Sequence, residues 1–292
     1  MLEFLSYLIS GISLGSVYAI IALGYTMVYG IAKMLNFAHG DVIMAGGYVM
    51  FITLAALGHP VLALVAAVIF CVLLGITIER LAYRPLRGAS PLAVLITAIG
   101  VSSLLQSIAQ IIFGSGTKMP IKLQIPGSVN IGSINIAYNT LLTLGVTVVV
   151  MTALTIFVNK SKTGRAMVAV SEDRDAALLM GINTNRIIAI TFAIGSALAA
   201  IAGYLMLCKA PSLTITFGAM PGIKAFTAAV IGGIGSIPGA MLGGILLGVV
   251  ESLSYSVPAL APYTDAVEFS ILIIVLLIKP SGILGKIRRE KV

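Results

Sequence analysis

Charged residues are scarce in this sequence. Lysine, arginine, aspartate and glutamate make up 10% of the 292 residues, whereas hydrophobic residues make up 59% and the mean hydropathy is +1.10. A soluble domain of this length could not bury so much apolar surface, which excludes that class and predicts a polytopic membrane protein. The apolar runs are continuous, not short and alternating, so a transmembrane barrel is also excluded and an all-α fold is expected.

The residues of several kinds of chemical site are missing as well. Both cysteines, Cys71 and Cys208, lie in apolar runs, so we expect small buried residues and not a disulfide or a metal site. The sequence has no glycine-rich loop ending in Lys-Ser or Lys-Thr, and no Cys–His, Ser–His or paired-carboxylate pattern. We therefore expect no enzyme active site, no cofactor and no ATPase site. A cleavable leader is not expected, because Glu3 and no basic segment precede the first apolar run.

About eight apolar segments are long enough for membrane helices, within a single transmembrane domain of residues 1–292. A spanning helix needs roughly 20 apolar residues. The predicted segments are residues 4–28, 42–57, 61–78, 92–113, 138–158, 187–207, the interrupted run 225–250, and 267–278. The 31 glycines fit close packing of helices in lipid, where small residues let backbones approach.

Basic residues concentrate in the connections and the tail, which accounts for the net charge of +8 without a nucleic-acid partner. Three arginines lie in residues 79–87, five basic residues lie in the 159–186 connection, and four follow residue 285. Because lysine and arginine are retained on the cytoplasmic side, these segments and the C-terminus are expected there, with the N-terminus outside. Residues 114–137 are punctuated by glycine and proline, which predicts an external loop with a small hairpin around residues 131–136.

A polar stretch interrupts the apolar sequence at residues 36–41. It places the amide of Asn36, the imidazole of His39 and the carboxylate of Asp41 between two apolar runs. Such groups are costly in hydrocarbon and usually face a cavity, a pathway or a partner, so we predict that all three line a transport pathway. A short hydrated loop is the alternative, and a histidine there would cap a helix or form a hydrogen bond.

A second interruption lies in residues 232–239, where four glycines and a proline break the 225–250 run. Non-helical backbone at membrane depth is tolerated only against protein or water. We predict two half-helices that meet near the middle of the membrane, with Gly235 and Ser236 on the pathway and Lys224 at the outer end. Two short helices with a surface turn are the alternative. Glu251, at the end of its span, is expected to be a snorkelling or interfacial residue.

Two pentapeptides resemble each other, and each precedes one of the interrupted regions. They are GSVYA at residues 15–19 and GSALA at residues 195–199. Matching interrupted segments in two halves of a sequence are typical of transporters built from structural repeats. The similarity is short, and it indicates a repeat only together with the two interruptions.

The 159–186 connection contains the signals of a short surface helix at about residues 172–180. Ser171 is a candidate N-cap, and Glu172, Asp173 and Asp175 would lie in the first turn, where acids complement the helix dipole. Gly181 would end the helix in the left-handed conformation. A solvated loop without a helix is the alternative.

Four stretches carry a family resemblance when taken together. They are GYTMVYGIAKMLNFAHGD (24–41), ERLAYRP (79–85), the GRAM, ED and MGIN segments of 164–183, and the AFTAAV and GGIGSIPGA segments of 225–240. The sequence resembles the permeases of branched-chain amino acid ABC importers, in particular the shorter, LivH-type subunit. The resemblance runs from about residue 12 to residue 285, except for the 114–137 loop, and family permeases often have glutamate at the position of Asp41.

The resemblance implies a bacterial inner-membrane importer that works by alternating access. Its expected partners are a second, LivM-like permease subunit, two ATPase subunits that bind the ATP, a periplasmic or surface-anchored substrate-binding protein, and membrane lipid. The short helix would transmit the ATPase motion, and its candidate coupling residues are Arg165, Glu172, Asp173, Arg174, Asp175 and Gly181. Branched-chain amino acids are the expected cargo. Urea or short amides, a proton-coupled secondary transporter with a His39–Asp41 relay, and a passive channel remain alternatives.

Overall fold

The computed structural model describes residues 2–131 and 134–285 and confirms an all-α membrane protein. Among these residues, eight helical segments are long and apolar enough to cross a membrane, and one shorter apolar helix lies among them. The helices are α1 (Leu2–Ala32), α2 (His39–Leu57), α3 (Pro60–Ile78), α4 (Pro91–Phe113), α5 (Tyr138–Lys160), α6 (Lys162–Glu172), α7 (Arg174–Leu179), α8 (Thr184–Lys209), α9 (Ala219–Gly232), α10 (Ile237–Ser256) and α11 (Thr264–Ile278).

The predicted hairpin between α4 and α5 is confirmed. A hairpin joins β1 (Ser128–Ile131) to β2 (Ile134–Ala137), with Val129 opposite Ile136. Helix α3 continues into a π-helical turn, Glu79–Tyr83, and a 3₁₀ turn, Arg84–Leu86. Both cysteines are free and buried, as expected.

Glycines hold the central helices together. Helices α1 and α10 pack antiparallel, with Gly11 and Gly15 of α1 directly against the backbone of α10. A β-carbon added to Gly15 would lie 2.7 Å from the α-carbon of Ile245. Because these positions have no side chains, the two backbones come into direct contact. Close contact maximises van der Waals packing, which holds the helices together in a membrane, where the hydrophobic effect does not.

Helices α1–α3 and α8–α10 form two repeats of opposite orientation. In each repeat a long helix is followed by non-helical chain (residues 33–38 and 210–218), a second helix and a third helix. The contacts between the repeats are also equivalent. The first helix of each repeat packs on the third helix of the other, as α1 on α10 and α8 on α3. The second helix of each repeat packs on the first helix of the other, as α2 on α8 and α9 on α1. The two similar pentapeptides lie in α1 and α8, at equal distances along the chain from the starts of α2 and α9. This is the inverted-repeat architecture of many transporters.

The interruption of the 225–250 run is real, but its predicted depth is wrong. Helix α10 has 20 residues, which at 1.5 Å per residue span the membrane alone, so the break between α9 and α10 lies at one end of the bundle. There the end of α9 pairs with the chain after α11: Ile283 N–H donates to Ile231 O over 2.8 Å, and Leu284 N–H to Gly232 O over 2.9 Å. The non-helical segments 33–38 and 210–218 lead back into the bundle, because Ala38 and Gly218, the residues at which they end, are buried.

Replacing Gly15 with leucine is expected to lower stability by at least about 1–3 kcal/mol, because the new side chain meets backbone that cannot move aside. Gly145→Leu is the matched control, since a β-carbon at that exposed position on α5 meets nothing within 4 Å. Thermal unfolding of the detergent-solubilised protein measures the difference. Equal midpoints for the two variants would contradict the glycine-mediated packing.

Candidate transport pathway and coupling surface

Helices α2 and α9 begin next to each other inside the bundle. A β-carbon on Gly40, in the first turn of α2, would lie 2.5 Å from the carbonyl oxygen of Gly218, which precedes α9. Neither helix has a side-chain cap, because the N-cap positions are Ala38 and Gly218. Two helix N-termini with their partial positive charges therefore lie together in the protein interior.

Asn36, His39 and Asp41 are all buried, but they face three different neighbours. The Asn36 amide oxygen accepts a hydrogen bond from the Tyr83 hydroxyl at 3.0 Å, at the end of the π-helical turn. The His39 ring packs edge-on against Tyr25, with centroids 4.7 Å apart. Asp41 accepts a hydrogen bond from the side-chain amide of Gln106 on α4 at 2.8 Å. The structure does not bring the three side chains together.

The His39 ring is closely enclosed. It is 1% exposed, and a β-carbon on Gly24 would lie 2.6 Å from its Nε2 and Cε1 atoms. Among the described residues its Nε2 atom has no hydrogen-bond partner. A packing role therefore fits this geometry directly, and Gly24 supplies the space for the ring.

Asn36 lines a narrow cavity together with the turn between α9 and α10. The cavity has a volume of about 10 Å³, enough for about one water molecule and far too small for an amino acid. Its lining residues are Tyr25, Tyr29, Leu35, Asn36, Phe226, Ala229 and Ile234. In this conformation the space between α1 and α9 is closed, with Phe226 packed on Tyr25 and Phe37 at ring distances of 5.9 and 5.4 Å.

Gly235 and Ser236, the other two pathway candidates, lie in the turn beside this cavity. Gly235 has a φ of +93°, and its α-carbon would lie 3.3 Å from a β-carbon on Gly30 in the last turn of α1. The Ser236 hydroxyl accepts a hydrogen bond from Gly239 N–H at 3.2 Å and caps α10. Both residues therefore determine the conformation of the turn. Asn36 lies close to the same turn, because it lines the cavity beside it.

The 159–186 connection contains two helices, not one. Ser161 caps α6 by accepting a hydrogen bond from Gly164 N–H at 2.8 Å. The predicted cap at Ser171 is wrong, because Ser171 belongs to the last turns of α6 and donates to the Val168 carbonyl at 2.7 Å. Asp173 caps α7 instead, since its carboxylate accepts hydrogen bonds from the N–H groups of Asp175 and Ala176, each at 2.9 Å.

The end of α7 is as predicted, and it exposes an apolar tip that the sequence reasoning missed. Gly181 has a φ of +82° and ends the helix in the left-handed conformation. The side chains just before it are among the most exposed large apolar groups of the described chain: Leu178 is 59%, Leu179 89% and Met180 82% exposed. The coupling candidates Arg165, Glu172, Asp173 and Asp175 are exposed on the same connection, and Arg174 is half-buried.

Helix α6 connects this tip to the bundle. Met167 and Val170 are buried on one face, and Gly164 packs against the backbone at Val158, near the end of α5. Helix α6 contacts α1, α5 and α8, and α7 contacts α8. A displacement of α7 can therefore reach the long helices of both repeats through rigid contacts.

A buried ionic network joins four helices, and sequence reasoning had not recognised it. Lys224 Nζ on α9 lies 2.8 Å from Glu251 on α10, 2.9 Å from Asp265 and 3.3 Å from Glu268, both on α11. The Tyr18 hydroxyl on α1 donates to Glu251 at 2.7 Å. Glu251 is 6% exposed, and both of its carboxylate oxygens have partners. Ionisable residues within membrane-spanning segments usually pair with one another. The presence of Lys224 and Glu251 in apolar runs was therefore the sequence signal for this network.

The chain is similar to known proteins over nearly its full length. The family model described as "Branched-chain amino acid transport system / permease component" matches residues 7–276. The chain is 47% identical to the high-affinity branched-chain amino acid transport system permease protein BraD of Pseudomonas aeruginosa, covering 99% of this chain and 98% of that protein. It is 46% identical to the corresponding permease protein LivH of Escherichia coli strain K12, covering 100% and 98%. A probable LivH of Methanocaldococcus jannaschii is 29% identical, covering 91% and 88%.

Replacing Lys224 with methionine is expected to destabilise the protein by about 3–5 kcal/mol, because three carboxylates then lose the cation that lies within 3.3 Å of each of them. Lys122→Met, at an exposed position in the 114–127 segment, is the control. Thermal unfolding in detergent compares the two variants. A Lys224→Met protein as stable as the control would show that the network contributes little.

Proposed function

Because the chain belongs to the branched-chain amino acid permease family and is therefore a transport component, we propose that it is the LivH-type permease subunit of an ABC importer for leucine, isoleucine and valine. The high identity to BraD and LivH over nearly the full length of both proteins is the observation that carries this proposal. A second, LivM-like permease subunit, two ATPase subunits that bind the ATP and a substrate-binding protein complete the importer.

The basic end of the bundle supports a cytoplasmic position for the coupling surface. The C-terminal end of α3 and the start of α8 meet there, because Arg87 contacts both Glu79 and Asn185. Helices α1 and α11 end on the same side, since Tyr83 reaches the Leu35–Asn36 segment and residues 283–284 pair with the end of α9. By the positive-inside rule this side faces the cytoplasm of a bacterial inner membrane, and the N-terminus faces outward. The predicted basic tail after residue 285 lies outside the described residues.

The geometry of α6 and α7 supports a role in coupling to an ATPase. An exposed apolar tip flanked by exposed carboxylates provides a surface for a groove with basic edges on a partner protein. Helix α6 is anchored to α1, α5 and α8, so motion of the tip reorients the helices that close the central cavity. Asp173 acts within this surface as the cap that holds α7 in place.

The repeats support a pathway between α1, α2, α8 and α9. The N-termini of α2 and α9 lie side by side without side-chain caps, which favours the carboxylate of a passing amino acid. The surrounding side chains are mostly apolar, as an aliphatic side chain requires. The closed cavity indicates that cargo passes only when the helices move, which is what alternating access requires. Asn36, at the edge of the cavity, is the pathway candidate that the geometry supports best.

The outer loop supports a route from the binding protein to α9. Lys118 and Leu213 form an isolated antiparallel bridge. The Lys118 nitrogen lies 2.8 Å from the Leu213 oxygen, and the Leu213 nitrogen lies 2.9 Å from the Lys118 oxygen. The loop thereby rests on the non-helical chain that leads into α9. A protein docked on this loop contacts a segment directly connected to one of the two repeats.

Reconstitution tests the proposal. Proteoliposomes are prepared with the chain, its second permease subunit, the ATPases and the binding protein, and uptake of radiolabelled leucine is measured. We expect uptake that requires both ATP and the binding protein, with isoleucine and valine competing and urea or acetamide not competing. Uptake by the chain alone without nucleotide would overturn the importer assignment in favour of a channel or a proton-coupled transporter.

Met180→Asp is expected to reduce retention of the ATPase subunits about tenfold, the effect of roughly 1.4 kcal/mol at an apolar interface position. Met180 is 82% exposed, so the folded chain itself is not disturbed. Met119→Asp, at a 63% exposed position on the opposite side, is the matched control. Co-purification of ATPase with tagged permease measures retention. Full retention by Met180→Asp would exclude the tip from the coupling surface.

A further inference from the structure

An open cavity of about 370 Å³ lies at the basic end of the bundle, between the end of α3 and the start of α8. It is separate from the central cavity and from the exposed tip of α7. Its lining combines three arginines (Arg80, Arg84 and Arg186) with an apolar group that includes Ile76, Ile190 and Ala193. Glu79 and two asparagines also line the cavity.

The three arginines provide positive charge at this cavity. Glu79 also lines the cavity, but its carboxylate is engaged by Arg87. Within residues 2–131 and 134–285, no ion pair involves Arg80, Arg84 or Arg186. All three side chains are exposed, so they are free to bind an anion. Arginine is the preferred side chain for phosphate, because its planar fork forms two parallel hydrogen bonds.

The apolar wall of the cavity belongs to membrane-spanning helices. Ile76 lies in the span Pro60–Leu86, and Ile190 and Ala193 lie in the span Thr184–Lys209. The arginines lie near the ends of these two spans and the apolar residues lie further inside them, so the cavity extends from the ends of the spans toward their middle. A soluble acidic segment of a partner protein would match the arginines but not this wall, whereas a phospholipid matches both.

The local backbone places the arginines near the ends of these two spans. The π-helical turn Glu79–Tyr83 carries Arg80, and the 3₁₀ turn that follows begins at Arg84. A single π-helical turn at the end of a helix is frequently associated with a functional site. From the other side, Asn183 caps α8 through its side-chain oxygen, 3.0 Å from Arg186 N, and so fixes the first turn that carries Arg186.

We propose that this cavity binds one anionic phospholipid, with the phosphate at Arg80, Arg84 and Arg186 and the acyl chains along Ile76 and Ile190. Basic pockets between membrane helices on the cytoplasmic side have this chemistry. The proposal goes beyond the transport function and is independent of the cargo. It requires only that the chain is embedded in a bilayer containing anionic lipid.

The test uses the assembled importer in detergent, titrated with phosphatidylglycerol or phosphatidylcholine and observed by native mass spectrometry. We expect the wild-type complex to retain phosphatidylglycerol at least about tenfold more tightly than phosphatidylcholine, and the double variant Arg80→Gln, Arg186→Gln to lose this preference. The control is Lys160→Gln, Lys162→Gln, which removes two exposed charges from the same end of the bundle but outside the cavity. A photoreactive phosphatidylglycerol should label peptides that contain Ile76 or Ile190 in the unmodified protein.

Several results would overturn the proposal. Equal retention of the two lipids, equal loss in the control variant, or labelling confined to other helices would each do so. Displacement of the bound lipid by millimolar inorganic phosphate, with no dependence on acyl chains, would assign the arginines to a free anion. Weaker assembly with the ATPases and unchanged lipid retention in the Arg80→Gln, Arg186→Gln variant would assign them to a partner protein.

Discussion

Direct contact between glycine backbones is the constraint on which the rest of this structure depends. Gly15 places α1 against α10, and Gly40 and Gly218 let the starts of α2 and α9 touch. In a membrane no difference in hydrophobicity drives helices together, so close packing and hydrogen bonding must hold them. The two repeats can therefore interlock only because side chains are absent at the crossing points. The closed central cavity and the side-by-side helix N-termini both follow from that interlocking.

Several polar side chains inside the bundle are paired with groups on a neighbouring segment of the chain. Asn36 binds Tyr83, Asp41 binds Gln106, and Lys224 binds three carboxylates. Asp41 joins α2 to the more peripheral α4, Lys224 joins α9 to α10 and to the more peripheral α11, and Asn36 joins the chain before α2 to the turn after α3. The cost of burying these groups is offset only while the partners stay in place, so the polar pairs fix the positions of helices that apolar packing alone would leave free to slide.

The sequence predicted the helices well, because continuous apolar runs and glycine or proline punctuation are local signals. The eight spans, the hairpin and the left-handed end at Gly181 were all predicted from such signals. The predicted depth of the break near Gly235 was wrong, since depth depends on which helices surround a turn. Ser171 and Asp173 are both possible N-caps of the surface helix. Which of them caps it depends on the backbone conformation of the folded protein. The network around Lys224 joins residues far apart in the chain, so no local pattern could reveal its partners.

The exposed tip of α7 has a consequence for how the protein is produced. Leu179 and Met180 are held at the end of a capped helix, where the chain cannot fold them back into its own core. Under the proposed coupling role, a copy synthesised in excess of its ATPase would present these side chains continuously to chaperones and membrane proteases, because uncovered apolar patches are sites of association. The proposed surface would therefore make balanced synthesis of the permease and the ATPase a requirement, since unpaired copies would expose an apolar segment.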